Sequence, residues 1–194
     1  VICSKDRANL LYSFSAVLAF NKLNIVEANI HTLRDHVFDV FKIVSSEGTP
    51  INYADIFPLQ NQIKNDLKRV CVDQEPLSQI FKNRSLSISK EQTKAQDIKL
   101  KIKLIGRSIK VETRDRLGTF MTLTGVFSQF NMEIQRAVLD TREGTASNIF
   151  YMRPKDVRNI TENKERFLRT LEQALRQLID SDEIIFKESS APTT

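Results

Sequence analysis

The chain is poor in the residues that build disulfide frameworks and metal sites. Its 194 residues include two cysteines, Cys3 and Cys71, and two histidines, His31 and His36. The cysteines form no C-x-x-C pair and lie in apolar segments, so we expect reduced, buried thiols and a cytoplasmic protein rather than a disulfide scaffold. The histidines fall on opposite faces of a strand pattern, which is typical of ordinary surface residues rather than of metal ligands.

Catalytic and membrane signatures are also missing. No glycine-rich loop ends in Lys-Ser or Lys-Thr, and no serine or cysteine stands in a nucleophile motif. No apolar run is long enough to span a bilayer, and no signal peptide is visible. We therefore predict no catalytic residue, metal, cofactor or membrane contact in this segment. Because the sequence starts at Val1 without a methionine, inside a strand-like run, we expect a longer parent protein.

The charged residues give a mildly basic chain. Lys and Arg number 29 and Asp and Glu 24, for a formal charge of +5. Since the basic residues are spread along the sequence, a solvated surface explains them better than an acidic partner does. The length suits one ordinary domain or two small ones.

An internal repeat runs through the chain at a fixed offset of 109 residues. The segment 5–11, KDRANLL, matches 114–120, RDRLGTF, and the register holds without a gap for more than thirty positions. Apolar positions align with apolar positions almost throughout, for example Val17 with Val126. Since chance gives scattered matches rather than a sustained register, we predict two copies of one fold.

Each copy has the pattern of a βαββα unit followed by a final strand. Residue alternation and turn residues predict strands at 1–4, 25–33 and 37–44, and at 109–113, 134–142, 146–152 and 184–186. Helical spacing predicts a first helix in each copy, with stripes of Leu11, Phe14, Val17, Leu18 and Lys22, and of Phe120, Leu123, Val126, Phe127 and Phe130.

Capping signals predict where the second helices begin. Asp55 and the first-turn proline Pro58 indicate a helix start in the first copy, and Pro76 indicates its end. In the second copy Thr161 is the expected N-cap, ahead of the helical stripe that contains Phe167 and Leu171.

These elements predict an α+β fold: two ferredoxin-like βαββαβ domains in tandem, each an antiparallel sheet with its helices on one face. We place the domains at 1–90 and 107–194, with 91–106 as a linker and possible bridging strand. Ile and Leu alternate with Lys from 98 to 104, which favours an edge strand protected by lysines over a nucleic-acid track. Which copy owns that strand stays open.

Two segments carry a resemblance to a known family. The sequence DRLGTF at 115–120 resembles the loop between the first strand and first helix of ACT domains, and NIVEANIHT at 24–32 resembles the strand that follows. The first copy is most similar to the C-terminal ACT pair of bacterial protein-PII uridylyltransferases/uridylyl-removing enzymes. The resemblance covers nearly the whole chain.

That resemblance implies a regulatory module rather than a catalytic one. It implies binding of a free amino acid, with glutamine as the expected ligand, and ACT–ACT pairing within or between chains. It also implies nucleotidyltransferase domains upstream, with magnesium as their expected cofactor and a PII-type protein as their partner.

The expected ligand site lies where each loop meets a helix N-terminus, which favours a carboxylate. Gly118 allows close approach of the backbone and a positive φ, and Asn9 takes its place in the first copy. Asp6 and Asp115 suit an α-amino group, although capping of the helix is an open alternative. The candidate loop residues are Asp6, Arg7, Asn9, Leu10, Asp115, Arg116, Gly118 and Thr119.

The strand start contributes the other half of the site. Asn24, next to Ile25, suits the side-chain amide of glutamine, although it is also placed to end a helix. The second copy has Glu133 in that register, and a carboxylate cannot both donate and accept. We therefore predict a composite site, with the loop of Gly118 from one copy and the strand of Asn24 from another.

Two other functions fit this order of elements. The first is RNA binding, which the residues oppose, because the first strand has no aromatic residue and Phe38 and Phe41 point to opposite faces. The second is a purely structural role, in which the copies pair into one larger sheet and no ligand is used.

Overall fold

The computed structural model describes residues 1–87, 100–142, 144–180 and 183–185. The first copy contains β1 (Ile2–Lys5), α1 (Leu10–Phe20), β2 (Leu23–Asn29), β3 (Thr32–Leu33), β4 (His36–Ser45), α2 (Tyr53–Cys71), α3 (Leu77–Ile80) and β5 (Ser85–Ser87). The second contains β6 (Lys101–Ile105), β7 (Ser108–Arg114), α4 (Thr119–Gln129), β8 (Ile134–Arg142), β9 (Thr145–Met152), α5 (Pro154–Glu162), α6 (Lys164–Asp180) and β10 (Glu183–Ile185).

The strands form antiparallel sheets whose register repeats between the copies. In the first sheet the order is β1-β4-β2, with β3 also beside β4, and in the second it is β6-β7-β9-β8. Ile2 stands opposite Asp39 in the first sheet, and Val111 stands opposite Asn148 in the second. Both pairs keep the offset of 109, so the repeat seen in the sequence is also a repeat of strand pairing. The mixed α+β architecture is compatible with ferredoxin-like domains.

The lysine-rich strand β6 belongs to the second sheet. It pairs with β7 across a turn at Gly106, whose φ of 56° is in the left-handed region. Lys101 and Lys103 are exposed, whereas Ile102 and Leu104 pack against the core. β6 is therefore an edge strand with a lysine face, as predicted.

The final strands differ from the prediction. β5 pairs with β10 in a separate two-stranded sheet, so each copy ends on a strand that joins the other copy rather than its own four-stranded sheet. The outer place in the second sheet is taken by β6 instead. Of the predicted elements, residue 186 and the linker residues 91–99 lie outside the described residues.

Helix boundaries also correct several expectations. Asn52, not Asp55, caps α2 by accepting the Ala54 N–H, and Pro58 lies inside that helix. Thr161 lies within α5, which begins at Pro154, so it is not an N-cap. Lys22 lies beyond the end of α1 with a φ of 59° and does not continue the stripe.

The two copies pack against each other through their first helices. The Ser15 and Thr124 hydroxyls lie 2.9 Å apart in a buried hydrogen bond. These residues are equivalent at the offset of 109, so the bond marks a local twofold axis between the copies. One apolar cluster contains buried residues of both, including Ile25 and Phe150, and β2 lies beside β8. The two copies therefore share one hydrophobic core instead of having separate ones.

Candidate ligand-binding site between the two copies

The local twofold axis brings the loop of each copy to the strand start of the other, and so makes two junctions. The first, which we call the amide junction, joins the loop 115–118 to Asn24. The second, the carboxylate junction, joins the loop 6–9 to Glu133. Asn24 and Glu133 are equivalent at the offset of 109, as are Asp115 and Asp6.

At the amide junction the polar groups satisfy one another. The Asn24 side-chain amide donates to the Asp115 carboxylate over 3.1 Å. Burial raises the pKa of Asp115, and the bond from Asn24 partly offsets this effect. Asn24 therefore lies in β2 as a partner of Asp115 and does not end α1, which stops at Phe20.

The loop of the second copy is held tightly to its own copy. The Arg116 guanidinium donates to the Leu178 carbonyl over 3.0 Å and also to the Ile179 carbonyl, at the end of α6. The Arg116 backbone N–H donates to the Thr119 hydroxyl over 3.2 Å. Arg116 and Thr119 are both buried, so their side chains brace the loop instead of lining an opening.

Both loops reach their helix in the same backbone shape. Gly118 precedes α4 with a φ of 89°, and Asn9 precedes α1 with a φ of 64°. Asn tolerates the left-handed region better than most residues, which explains how the shape persists without glycine. Asn9 also accepts from the Ser128 hydroxyl over 2.6 Å, which ties the first loop to α4. Neither Asp6 nor Asp115 is the N-cap residue of its helix.

The carboxylate junction contains a cavity of about 180 Å³ between the copies. That volume is below the range of roughly 300–1,000 Å³ for drug-sized ligands and suits a small metabolite. The polar residues around it come from both copies: Asp6, Arg7, Asn9, Tyr12, Thr32 and Asp39 from the first, and Thr124, Ser128, Glu133 and Arg153 from the second. The first turn of α1 also lines it, so a helix N-terminus meets the cavity.

Asp39 is the least expected of these residues. It lies on β4 between Val37 and Phe41, on the inward face, and its side chain is 2% exposed. It accepts the His31 backbone N–H over 3.3 Å. Burial raises the pKa of Asp39 to about 6, and the charge of Asp6 acts in the same direction.

Three other charged residues of this junction, Glu133, Arg153 and Arg7, have partners of their own. Glu133 forms an ion pair with Arg153, so the second copy presents an acceptor and a donor side by side. Arg7 is exposed and donates to the Val70 carbonyl over 2.5 Å. In the described part of the chain, no group of three or more His, Cys, Asp or Glu side chains is arranged to hold a metal ion.

The predicted site residues thus fall into two groups, one at the carboxylate junction and one at the amide junction. Asp6, Arg7 and Asn9 line the cavity, whereas Asn24 and Asp115 bond directly to each other at the amide junction. The Leu10 and Ile25 side chains are both buried, and Leu10 also lines the cavity, whereas Ile25 belongs to the apolar cluster that the two copies share. Sequence reasoning missed Asp39 and Arg153. An acidic residue on the inward face of an alternating strand was the signal for Asp39.

The side chains considered for other roles are placed as follows. Phe38 is exposed and Phe41 is partly buried, so they do lie on opposite faces of β4. Both cysteines are free, but Cys3 is exposed and Cys71 is half-buried, so the expectation of buried thiols is wrong for Cys3. No helix among the described residues has the length and apolar character needed to cross a bilayer.

Comparison with known proteins identifies relatives for most of the chain. It is 29% identical over 181 residues to the bifunctional uridylyltransferase/uridylyl-removing enzyme of Ruegeria pomeroyi, and 28% identical over 179 residues to the enzyme of that name from Cereibacter sphaeroides. Each match covers 90% of this chain but 19% of the relative, so the chain spans about a fifth of the length of these enzymes. No protein-family model matches the chain.

Among solved structures, an unknown protein from Galdieria sulphuraria matches over 94% of this chain and 95% of its own. The two share 13% identity and superpose with a TM-score of 0.28, which is too low to support an argument about fold or function. The sequence relatives therefore give the functional context: the chain is similar to one part of a larger multidomain enzyme.

Proposed function

We propose that this chain is a tandem ACT pair that senses a free amino acid, with glutamine as the leading ligand, and regulates the catalytic domains of a uridylyltransferase-type enzyme acting on a PII-type protein. The main observation in support of this proposal is the cavity at the carboxylate junction, which is lined by residues of both copies. A ligand there contacts both copies at once, and so it favours one packing of the pair over another.

The cavity offers complementary groups for a zwitterion. Asp6 and Asp39 are acceptors for an α-ammonium group, and the first turn of α1 is a favourable place for an α-carboxylate. The Ser13 N–H is bonded to the Asn9 carbonyl, so the amides of Leu10 and Leu11 precede that bond in the helix. A free amino acid is the small molecule that carries both charges on one carbon.

The pair of Glu133 and Arg153 fits the side chain of glutamine. A carboxylate alone accepts but cannot donate, whereas this pair presents a carboxylate and a guanidinium together. Glu133 is suited to accept from the amide NH2 and Arg153 to donate to the amide carbonyl. We thus place the ligand at the carboxylate junction, and not at the amide junction favoured by the sequence, because Asn24 and Asp115 already bond to each other there.

Isothermal titration of the chain against the standard free amino acids tests this function. We expect saturable heat for glutamine, and a thermal shift that grows with its concentration, because a ligand present at 100 times its Kd stabilises the folded state by about 2.7 kcal/mol. Heat for another amino acid only would overturn the glutamine assignment. If no free amino acid gives heat or a thermal shift at millimolar concentration, the sensing function is wrong.

A further inference from the structure

The carboxylate junction holds a buried charge that the fold itself does not need. Asp39 is 2% exposed and lines the cavity, and among the described residues no Lys, Arg or His forms an ion pair with it. Its one described hydrogen bond comes from the backbone N–H of His31. Burying a carboxylate without a counter-ion is unfavourable, and such groups normally shift their pKa or find a partner.

The second copy shows what the same position looks like without a charge. Asn148 is equivalent to Asp39 at the offset of 109, stands opposite Val111 as Asp39 stands opposite Ile2, and is also 2% exposed. A neutral amide of the same size therefore fits this strand position. The carboxylate at position 39 is thus a feature of the junction and not a requirement of the fold.

We propose that Asp39, together with Asp6, forms a subsite for the primary ammonium group of the ligand, and that Asp39 selects amino acids with a free α-amino group over N-acylated ones. This inference rests on the proposed sensing function and deepens it. The two carboxylates reach the cavity from β4 and from the loop after β1, so an ammonium between them neutralises charge from both.

A metal ion is a poorer fit to the same groups. The described residues of the junction do not bring three ligating side chains together for a cation. Glu133, the third carboxylate at the cavity, is already paired with Arg153. An ammonium donates hydrogen bonds and needs no complete coordination shell, so two carboxylates are sufficient for it.

Binding of an ammonium should release a proton near pH 6. The charged residues that line the cavity together with Asp39 are Asp6 and Arg7 from the loop after β1, and Glu133 and Arg153 from the second copy. The His31 backbone N–H, from the turn after β2, donates to Asp39. With burial and Asp6 holding the pKa of Asp39 near 6, part of the unliganded protein carries a proton there. A bound ammonium favours the carboxylate and displaces that proton.

The experiment is calorimetric titration of the chain and of two variants with L-glutamine, N-acetyl-L-glutamine and the other free amino acids, at pH 6 in two buffers of different ionisation enthalpy. The variants are Asp39→Asn, which copies Asn148, and Asp55→Asn, which removes the same charge from an exposed site in α2. For the native chain and Asp55→Asn we expect binding of the free amino acid, proton release, and affinity for the N-acetyl form lower by at least about tenfold.

For Asp39→Asn we expect the affinity for the free amino acid to fall by about 10- to 100-fold, as for loss of a hydrogen bond to a charged group, and the proton release to disappear. Circular dichroism and the melting temperature verify that the variant is folded. If free amino acids bind but acetylation and Asp39→Asn have no effect, the ammonium subsite is wrong while the sensing function stands. If no free amino acid binds at all, both are wrong.

Discussion

The two junctions have the same backbone and opposite chemistry. At the amide junction, Asn24 and Asp115 form one neutral-to-charged hydrogen bond. At the carboxylate junction, Glu133 replaces the asparagine, and the charged Asp39 stands where the second copy has Asn148. The amides of Asn24 and Asn148 thus correspond to the carboxylates of Glu133 and Asp39 on the other side of the local axis.

This difference separates a structural contact from a binding site. A junction whose polar groups satisfy each other holds the copies together and has little to gain from a ligand. A junction with carboxylates around a cavity is less stable alone and gains more when a cation arrives. The repeat thus provides an internal control, in which each residue of one junction can be exchanged for its counterpart in the other.

The largest effect is expected when Asp39 is replaced by Asn. Burial raises the pKa of Asp39 from 3.8 to about 6, so the folded protein holds this proton more tightly than the unfolded chain does. Its stability therefore falls as the pH rises from 3.8 to 6 and stays lower above 6. Each pH unit in that window corresponds to about 1.4 kcal/mol, so Asp39→Asn should be more stable by up to about 3 kcal/mol at neutral pH.

Urea unfolding of the native chain and of Asp39→Asn at a series of pH values measures this effect. The difference in free energy of unfolding should be near zero below pH 3.8 and constant above pH 6. Asp55→Asn, at an exposed position of α2, is the matched control. A difference that does not change with pH would mean that Asp39 is not a buried, unneutralised charge, and it would remove the contrast between the junctions.

A second, smaller effect is expected at the amide junction. Replacing Asn24 with Ala removes the donor to Asp115 and leaves a buried carboxylate with one bond fewer. We expect a loss of about 1–3 kcal/mol in the free energy of unfolding, and a further rise in the pKa of Asp115, because the bond from Asn24 is what lowers it. Unfolding by urea over a series of pH values should show a larger loss where Asp115 is ionised than where it is protonated.

The comparison becomes sharper if Glu133 is changed to Ala in parallel. That change leaves Arg153 without its partner but removes a carboxylate from the cavity. Because the Arg153 and Glu133 side chains are 34% and 41% exposed, solvent screens their ion pair, and its loss should cost less stability than Asn24→Ala does. Equal losses in the free energy of unfolding of the two variants would indicate that the junctions do not differ in the way described.

The parts of this fold that follow local patterns were predictable from sequence. The offset of 109 anticipated the repeated register of Ile2 with Asp39 and Val111 with Asn148, because a period-2 pattern fixes which residues face the core. The predicted strand 134–142 coincides with β8 for the same reason. Element type depends on neighbours in the chain, and those are visible in the sequence.

The parts of the fold that depend on residues distant in the chain could not be predicted from the sequence. Nothing near residues 85–87 indicates that β5 pairs with β10, since an edge strand accepts whichever edge the packing presents. Asn and Asp are both favoured N-cap residues, so the sequence alone does not decide that Asn52 rather than Asp55 caps α2. The strand alternation indicates that Asp39 is an acidic residue on the inward face of β4. It does not indicate that Asp39 lines a cavity together with Asp6 and residues of the other copy.

The smallest expected effect concerns the loops, which should be alike in shape despite their different residues. Gly118 has a φ of 89°, and Asn9 has a φ of 64° at the equivalent position. Gly118→Asn should therefore cost less stability than Gly118→Ala, for which a loss of about 1 kcal/mol is expected, because Asn visits the left-handed region more readily than Ala does. Thermal unfolding of both variants measures the difference. If the two variants lose the same stability, backbone conformation is not the only constraint at position 118. The absence of a side chain next to the backbone of α4 would then also distinguish the two junctions.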